Sequence, residues 1–277
     1  MGYLSPNEIA VALVESGKKK VKLPLLSLWI PGILAGVYIG FGAHLFTIVT
    51  NDLAEFAGCG FARFIGGSVF TVGLMLVIIA GAELFTGNCL MLTAVLSEDI
   101  KFKEMLYNWA IVFLANFVGS ILLVAIIYHS GLWKINETKV GITAVSIAIS
   151  KVNLSFSEAF YRGIACNWLV CLAVVLAMSG KDNISRIFGI YFPIMAFVAA
   201  GFEHSVANMY FVPAGLFLKN NLNFIALSGF GNEIGCLTWS SFILKNLIPV
   251  TLGNIIGGAI FVGAAYYFAY LKKKPDH

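Results

Sequence analysis

Residues 80–88 read Ala80-Gly81-Ala82-Glu83-Leu84-Phe85-Thr86-Gly87-Asn88, and residues 200–208 read Ala200-Gly201-Phe202-Glu203-His204-Ser205-Val206-Ala207-Asn208. Both fit the pattern AG-x-E-x4-N, 120 positions apart, and each lies in an overlong apolar stretch with one carboxylate near its middle. A second match pairs Asn108, Asn116 and Gly119 with Asn246, Asn254 and Gly257, 138 positions apart. The chain therefore reads as two copies of a three-span unit. With an odd number of spans per copy, the second enters the membrane from the opposite face, giving an inverted repeat. Interrupted segments at matching places point to the substrate path, because backbone freed from helix bonding survives at membrane depth only in protein or along a cavity.

Composition supports a membrane setting. The 277 residues are 59% hydrophobic and 12% charged, with a mean hydropathy of +0.89. Soluble domains run about 45–50% apolar and about 25% charged. Six helical spans of about 20 residues fit this length and leave no room for a large soluble catalytic domain. Five cysteines (Cys59, Cys89, Cys166, Cys171 and Cys236) are scattered without metal-ligand spacing, so neither a metal site nor a disulfide framework is expected. No cofactor is implied. The stretch before Lys18 is too polar for a signal-peptide core.

Residues Ser5 to Gly17 suit a short amphipathic helix lying on the membrane, within an N-terminal segment 1–22. The first repeat is expected over 23–135, with spans near 26–50, 64–97 and 107–128. The second is expected over 136–271, with spans near 163–179, 187–218 and 245–271, followed by a tail 272–277. Of 18 Lys plus Arg, clusters at Lys18, Lys19, Lys20 and Lys22 and at Lys272, Lys273 and Lys274 flank the outermost spans. Positive residues favour the cytoplasmic side, so both termini are expected there.

His204, a titratable group at a span break, is the sharpest candidate for function. A histidine that merely ties two helices together is the plainer alternative. Glu83 and Glu203 could act as acid and base, but the favoured reading has them accept hydrogen bonds from backbone N–H groups freed where the helices break. Asn88, Asn208 and Asn254 belong to the same structural set. Thr86 could present a hydroxyl to a pore or cap the helix that follows. Lys151, placed in the loop between spans three and four, could concentrate anions at a pore mouth or simply be solvated. Leu74, Phe85, Val170 and Phe197 could form apolar constrictions or pack in the core. Gly32, Gly36, Gly40, Gly253, Gly257 and Gly258 read as close helix packing.

Four motifs in order carry a family resemblance: the Glu83-Leu84-Phe85-Thr86-Gly87-Asn88 core, the run Arg162 to Ala173, the run Gly201 to Tyr210, and Gly253-Asn254-Ile255-Ile256-Gly257-Gly258. Together they resemble the formate/nitrite transporter family over essentially the whole chain. The resemblance implies an all-α, aquaporin-like fold of six spans with broken second and fifth helices, assembled as a homopentamer with one pore per subunit in a bacterial cytoplasmic membrane. It implies transport of small monovalent weak-acid anions such as hydrosulfide, formate or nitrite. His204 then matches the central pore histidine, Thr86 the threonine of the broken second span, Lys151 the vestibule lysine and Asn167 an asparagine of the fourth-span signature. Leu74 and Phe85, with Val170 and Phe197, match the hydrophobic slits. Gly87-Asn88-Cys89 is more like the hydrosulfide branch than the formate channels.

Other classes fit less well. A water or glycerol channel shares the inverted repeat, yet no Asn-Pro-Ala triplet occurs. A hydrolase would need Gly-x-Ser-x-Gly or His-Glu-x-x-His, and neither is present, so no enzyme is expected. Nothing in the charge pattern suggests nucleic acid. The expected partners are a small anion, the lipid bilayer and further copies of the chain.

Overall fold

A computed structural model describes residues 3–219, 221, 224 and 230–272. The tail beyond Lys272, with Lys273 and Lys274, lies outside the described residues. The helices are α1 (Pro6–Val21), α2 (Leu25–Thr50), α3 (Leu53–Gly81), α4 (Phe85–Leu96), α5 (Phe102–Ser130), α6 (Lys139–Val152), α7 (Phe156–Ser179), α8 (Asn183–Ala200), α9 (Ser205–Lys219) and α10 (Trp239–Leu271). Six of them, α2, α3, α5, α7, α8 and α10, are long and apolar enough to cross a membrane. The all-α, six-span architecture is the one expected.

The second and fifth spans break where the sequence repeats. Gly81 ends α3 at φ +87° and Gly201 ends α8 at φ +79°. A Cβ at either glycine would meet nothing within 4 Å. The left-handed backbone, not crowding, therefore calls for glycine there. After each break the chain resumes as a second helix, α4 or α9.

Close approach of backbones holds the spans together. A Cβ on Gly119 would strike the Ile33 carbonyl, and one on Gly257 would strike the Ile164 carbonyl. Small residues at these crossings let α5 lie against α2, and α10 against α7, closely enough for dispersion to bind them in lipid.

Several boundaries differ from expectation, each for an identifiable reason. α1 runs on to Val21, because a Ser5–Glu8 capping box starts it and Lys18, Lys19 and Lys20 fill its last turn, where positive charge suits the helix dipole. The second span begins at Leu53 rather than near 64. Glu55 and Arg63 interrupt the hydropathy of its first turns, and Gly58 kinks them at φ +79°. α7 begins at Phe156, started by a Ser155–Glu158 capping box. Lys151 is not in a loop but in the last turn of α6.

Candidate functional site

Each break exposes backbone groups that a buried asparagine satisfies. Asn116 Oδ1 accepts the Phe85 N–H at 2.9 Å, while its Nδ2 donates to the Gly32 carbonyl at 2.7 Å and the Glu83 carbonyl at 2.9 Å. In the second copy, Asn254 Oδ1 accepts the Ser205 N–H at 2.9 Å, and its Nδ2 donates to Gly163 at 2.8 Å and Glu203 at 3.0 Å. The glutamate main chains are anchored as well: Glu83 N–H donates to Pro31 O at 3.2 Å and Glu203 N–H to Arg162 O at 3.3 Å.

The carboxylates therefore do something else, and the expectation that they accept freed backbone N–H groups is corrected. Glu83 takes both its oxygens to Lys20 Nζ at 2.6 Å. Asn88 Nδ2 also donates to it at 2.8 Å and reaches Asn108 Oδ1 at 2.8 Å. Glu203 pairs with Lys151 Nζ at 2.9 Å and accepts from Asn208 Nδ2 at 2.6 Å and Asn246 Nδ2 at 3.3 Å. Asn208 reaches Asn246 Oδ1 at 2.8 Å. The same lysine–glutamate–asparagine–asparagine chain is thus built twice. Lys20, on α1, is the counterpart of Lys151, 131 positions apart, as are the anchors Pro31 and Arg162 and also Gly32 and Gly163. Sequence reading singled out Lys151 and passed over Lys20.

Each chain of polar groups opens into a cavity. One of about 590 Å³ is lined by Lys20, Glu83, Asn88, Leu74 and Leu84, among others. Another, of about 350 Å³, is lined by Lys151, Glu203, His204, Phe70, Phe197 and Phe211, among others. Aromatic rings close the second towards the centre. Phe70 meets Phe197 edge-on at 5.8 Å and stacks on Phe211 at 6.5 Å, and the Lys151 ammonium lies 5.2 Å above the Phe211 ring.

Between the cavities, His204 Nε2 and Thr86 Oγ1 are 2.9 Å apart, both buried. The Ala207 N–H donates to His204 Nδ1 at 3.0 Å. That contact makes Nδ1 an acceptor, so the neutral imidazole carries its proton on Nε2 and donates to Thr86. The threonine hydroxyl then has its own proton to offer. Asn167 steadies the couple: its Nδ2 donates to Thr86 O at 3.1 Å and to Asn254 O at 2.7 Å, tying the first break to the second. Cys171 Sγ adds a contact to Thr86 O at 3.4 Å. Phe197 stacks on the imidazole at 5.9 Å.

The structure thus joins His204, Thr86 and Asn167 through hydrogen bonds, and puts Lys151, Glu203 and Phe197 on the wall of the His204 cavity and Glu83 and Leu74 on that of the other. Phe85 is one of two exceptions. It packs edge-on against Phe113 at 5.0 Å and Trp109 at 6.0 Å, and its neighbour Leu84 faces the Lys20 cavity instead. Leu84 is extended, φ −110° and ψ 123°, so consecutive side chains there point to opposite sides. Val170 is buried and lines neither cavity. Among the described residues no group of three or more His, Cys, Asp or Glu is placed to hold a metal ion.

The family model described as "Formate/nitrite transporter" matches residues 7–268. A "Probable formate transporter" of Methanothermobacter thermautotrophicus is 43% identical, covering 98% of each chain. The "Formate channel BtFdhC" of Bacillus thuringiensis is 39% identical over 100% of this chain and 99% of its own. A solved structure, "Pentameric formate channel with formate bound", superposes with a TM-score of 0.80 at 36% identity, covering 90% of this chain and 98% of that one. These relatives are named for formate, and none of the three supports the hydrosulfide preference drawn from Gly87-Asn88-Cys89.

Proposed function

Because the chain belongs to the formate/nitrite transporter family, a family of membrane channels and not of enzymes, we propose that it conducts small monovalent weak-acid anions, formate first. Nitrite and hydrosulfide are the next candidates. The observation that carries this reading is the His204–Thr86 couple, buried between two cavities that each hold a lysine–glutamate pair. At either mouth Lys20 or Lys151, each held by its paired glutamate, offers an ammonium donor to an arriving anion. The waist beyond is apolar, where a bare anion pays a heavy desolvation cost and its neutral acid far less. The anion of a one-proton acid takes a proton from the aqueous side at the mouth, passes Phe197 or Leu74 as the neutral acid, and meets the Thr86 hydroxyl, which His204 orients through its Nε2 proton. The Ala207 N–H at Nδ1 favours His204 acting in its neutral form, as a hydrogen-bonding group.

The relatives support further parts of this reading. We take the functional unit to be a homopentamer with one pore per subunit, in the cytoplasmic membrane with both termini inside. Lys20 then faces the cytoplasm and Lys151 the outside. The two repeats within the single channel domain begin at α1 and α6, since Lys20 and Lys151 belong to matching networks. Liposomes carrying the protein, given sodium salts of formate, nitrite, hydrosulfide, chloride and sulfate, test the substrate class. Formate flux that rises as the medium is acidified supports the reading; robust sulfate permeation, or water flux without anion flux as in an aquaporin-type channel, overturns it.

A further inference from the structure

The two cavities match residue for residue at Lys20 and Lys151, Glu83 and Glu203, and Asn88 and Asn208, but not in net charge. Within the Lys20 cavity lining, Lys20 and Glu83 cancel, and no other charged side chain appears among the described residues. The Lys151 cavity has the equivalent cancelling pair and, in addition, Arg63 and Arg162.

Neither arginine is required by the scaffold. Arg162 anchors the second break through its main-chain carbonyl alone, which accepts the Glu203 N–H. At the matching position of the first copy the same task falls to Pro31, also through its carbonyl. Proline carries no charge, so the fold does not need a guanidinium at this place. The Arg162 side chain is 43% exposed, and its one ion-pair partner among the described residues is Glu158, one turn earlier at 3.8 Å and itself exposed. Such a contact holds little. Arg63, on the exposed first turns of α3, has no ion-pair or hydrogen-bond partner among the described residues. Two planar, permanently charged forks thus line one mouth of the pore and have no counterpart at the other. Guanidinium groups match oxyanions with paired hydrogen bonds in a way that a single ammonium does not.

We propose that Arg63 and Arg162 form an oxyanion site at the Lys151 mouth that holds divalent oxyanions, sulfate or hydrogen phosphate, and blocks the pore from that face alone. The proposal rests on the channel reading above for its consequence, not for its binding. The anion of a monovalent weak acid drawn to the arginines takes a proton from the aqueous mouth, becomes neutral and moves on through the ring of Phe70, Phe197 and Phe211. A dianion still charged after one protonation cannot cross the same apolar ring. It stays on the arginines and excludes the next substrate anion. At the Lys20 mouth Glu83 offsets the lysine, Glu104 accompanies Lys103 in the adjoining cavity, and no guanidinium lines either.

Membrane vesicles of known orientation decide the matter. Formate entry is measured while sulfate replaces a monovalent salt on one face at constant ionic strength, so that screening does not change. Sulfate on the Lys151 face is expected to inhibit entry, and sulfate on the Lys20 face is not. Arg63→Gln with Arg162→Gln raises the half-inhibiting sulfate concentration at least about tenfold, and Arg63→Lys with Arg162→Lys restores part of the sensitivity. Calorimetric titration of the solubilised protein with sulfate provides a readout that needs no flux: heat of binding in the unaltered chain, lost in the double glutamine variant. Equal inhibition from both faces, unchanged sensitivity of the double variant, or no sulfate heat in the unaltered chain overturns the proposal. Absence of formate flux in the unaltered chain overturns the channel reading instead, and the titration still decides the arginine site.

Discussion

Truncating Asn254 to alanine tests what holds the second break in place. The residue is fully buried, at 0% exposure, and its amide serves three main-chain groups: the Ser205 N–H and the Gly163 and Glu203 carbonyls. Asn254→Ala removes all three contacts and leaves a space too apolar to replace them. A buried polar group stripped of its partner costs about 1–3 kcal/mol, giving about 3–9 kcal/mol for three. Carbonyls keep a second lone pair, and the Gly163 oxygen lies inside a helix, so the N–H of Ser205 dominates and the lower part of the range applies, about 3–5 kcal/mol. Asn116, equally buried, makes the same three kinds of contact at the first break, so Asn116→Ala should cost the same within about 1 kcal/mol. Equilibrium unfolding of the solubilised protein, followed by tryptophan fluorescence, measures both. A loss below about 1 kcal/mol for either variant would refute the view that these side chains, rather than the glutamates, satisfy the freed backbone.

Three further outcomes follow from the site. His204→Asn can still donate to Thr86 and should retain more formate flux than His204→Phe, with oligomer size unchanged in both. Identical flux in the unaltered chain and both variants between about pH 5 and 8 would end the pore role of His204. Lys151→Met strands the Glu203 carboxylate, whose side chain is 6% exposed, and should destabilise by about 3–5 kcal/mol. Adding Glu203→Gln should recover most of that loss, and a double-mutant cycle that returns no coupling would contradict the pairing. Leu84→Ala should widen the waist and admit larger monocarboxylates, at a cost of about 2–5 kcal/mol in unfolding because the side chain is only 3% exposed, whereas Phe85→Ala should cost about 3–5 kcal/mol and leave selectivity alone. The reverse pattern would restore Phe85 to the pore.

The two breaks, the repeat and the buried His204 were legible because they depend on residues that are rare in apolar spans. A glycine and a glutamate in mid-span, and a histidine beside one of them, stand out on chemistry alone. Lys20 did not stand out: it lies in a run of lysines whose obvious reading is a solvated or orienting cluster, and beyond the matching lysine α1 and α6 share only valines, at Val14 and Val145 and at Val21 and Val152, which carry no chemistry. The true partners of the glutamates were hidden for the same reason, since they come from helices 63 and 52 residues away. The choice between Leu84 and Phe85 turns on one extended residue, which hydropathy does not register. The start of the second span at Leu53 was masked by Glu55 and Arg63, charges that a hydropathy window takes as the membrane edge.

The order of the ion pairs along the chain bears on how the protein is made. In each half the lysine precedes its glutamate, so it leaves the ribosome first, on a short helix suited to the membrane surface. The carboxylate follows in the middle of a span, the place where an ionised side chain is least welcome in lipid. A cation already waiting at the surface means that the glutamate can be neutralised as soon as its broken span enters the bilayer. Deleting α1 would leave the second span to insert with its charge uncovered, so a shortened chain should fail during biogenesis, before any question of conduction arises.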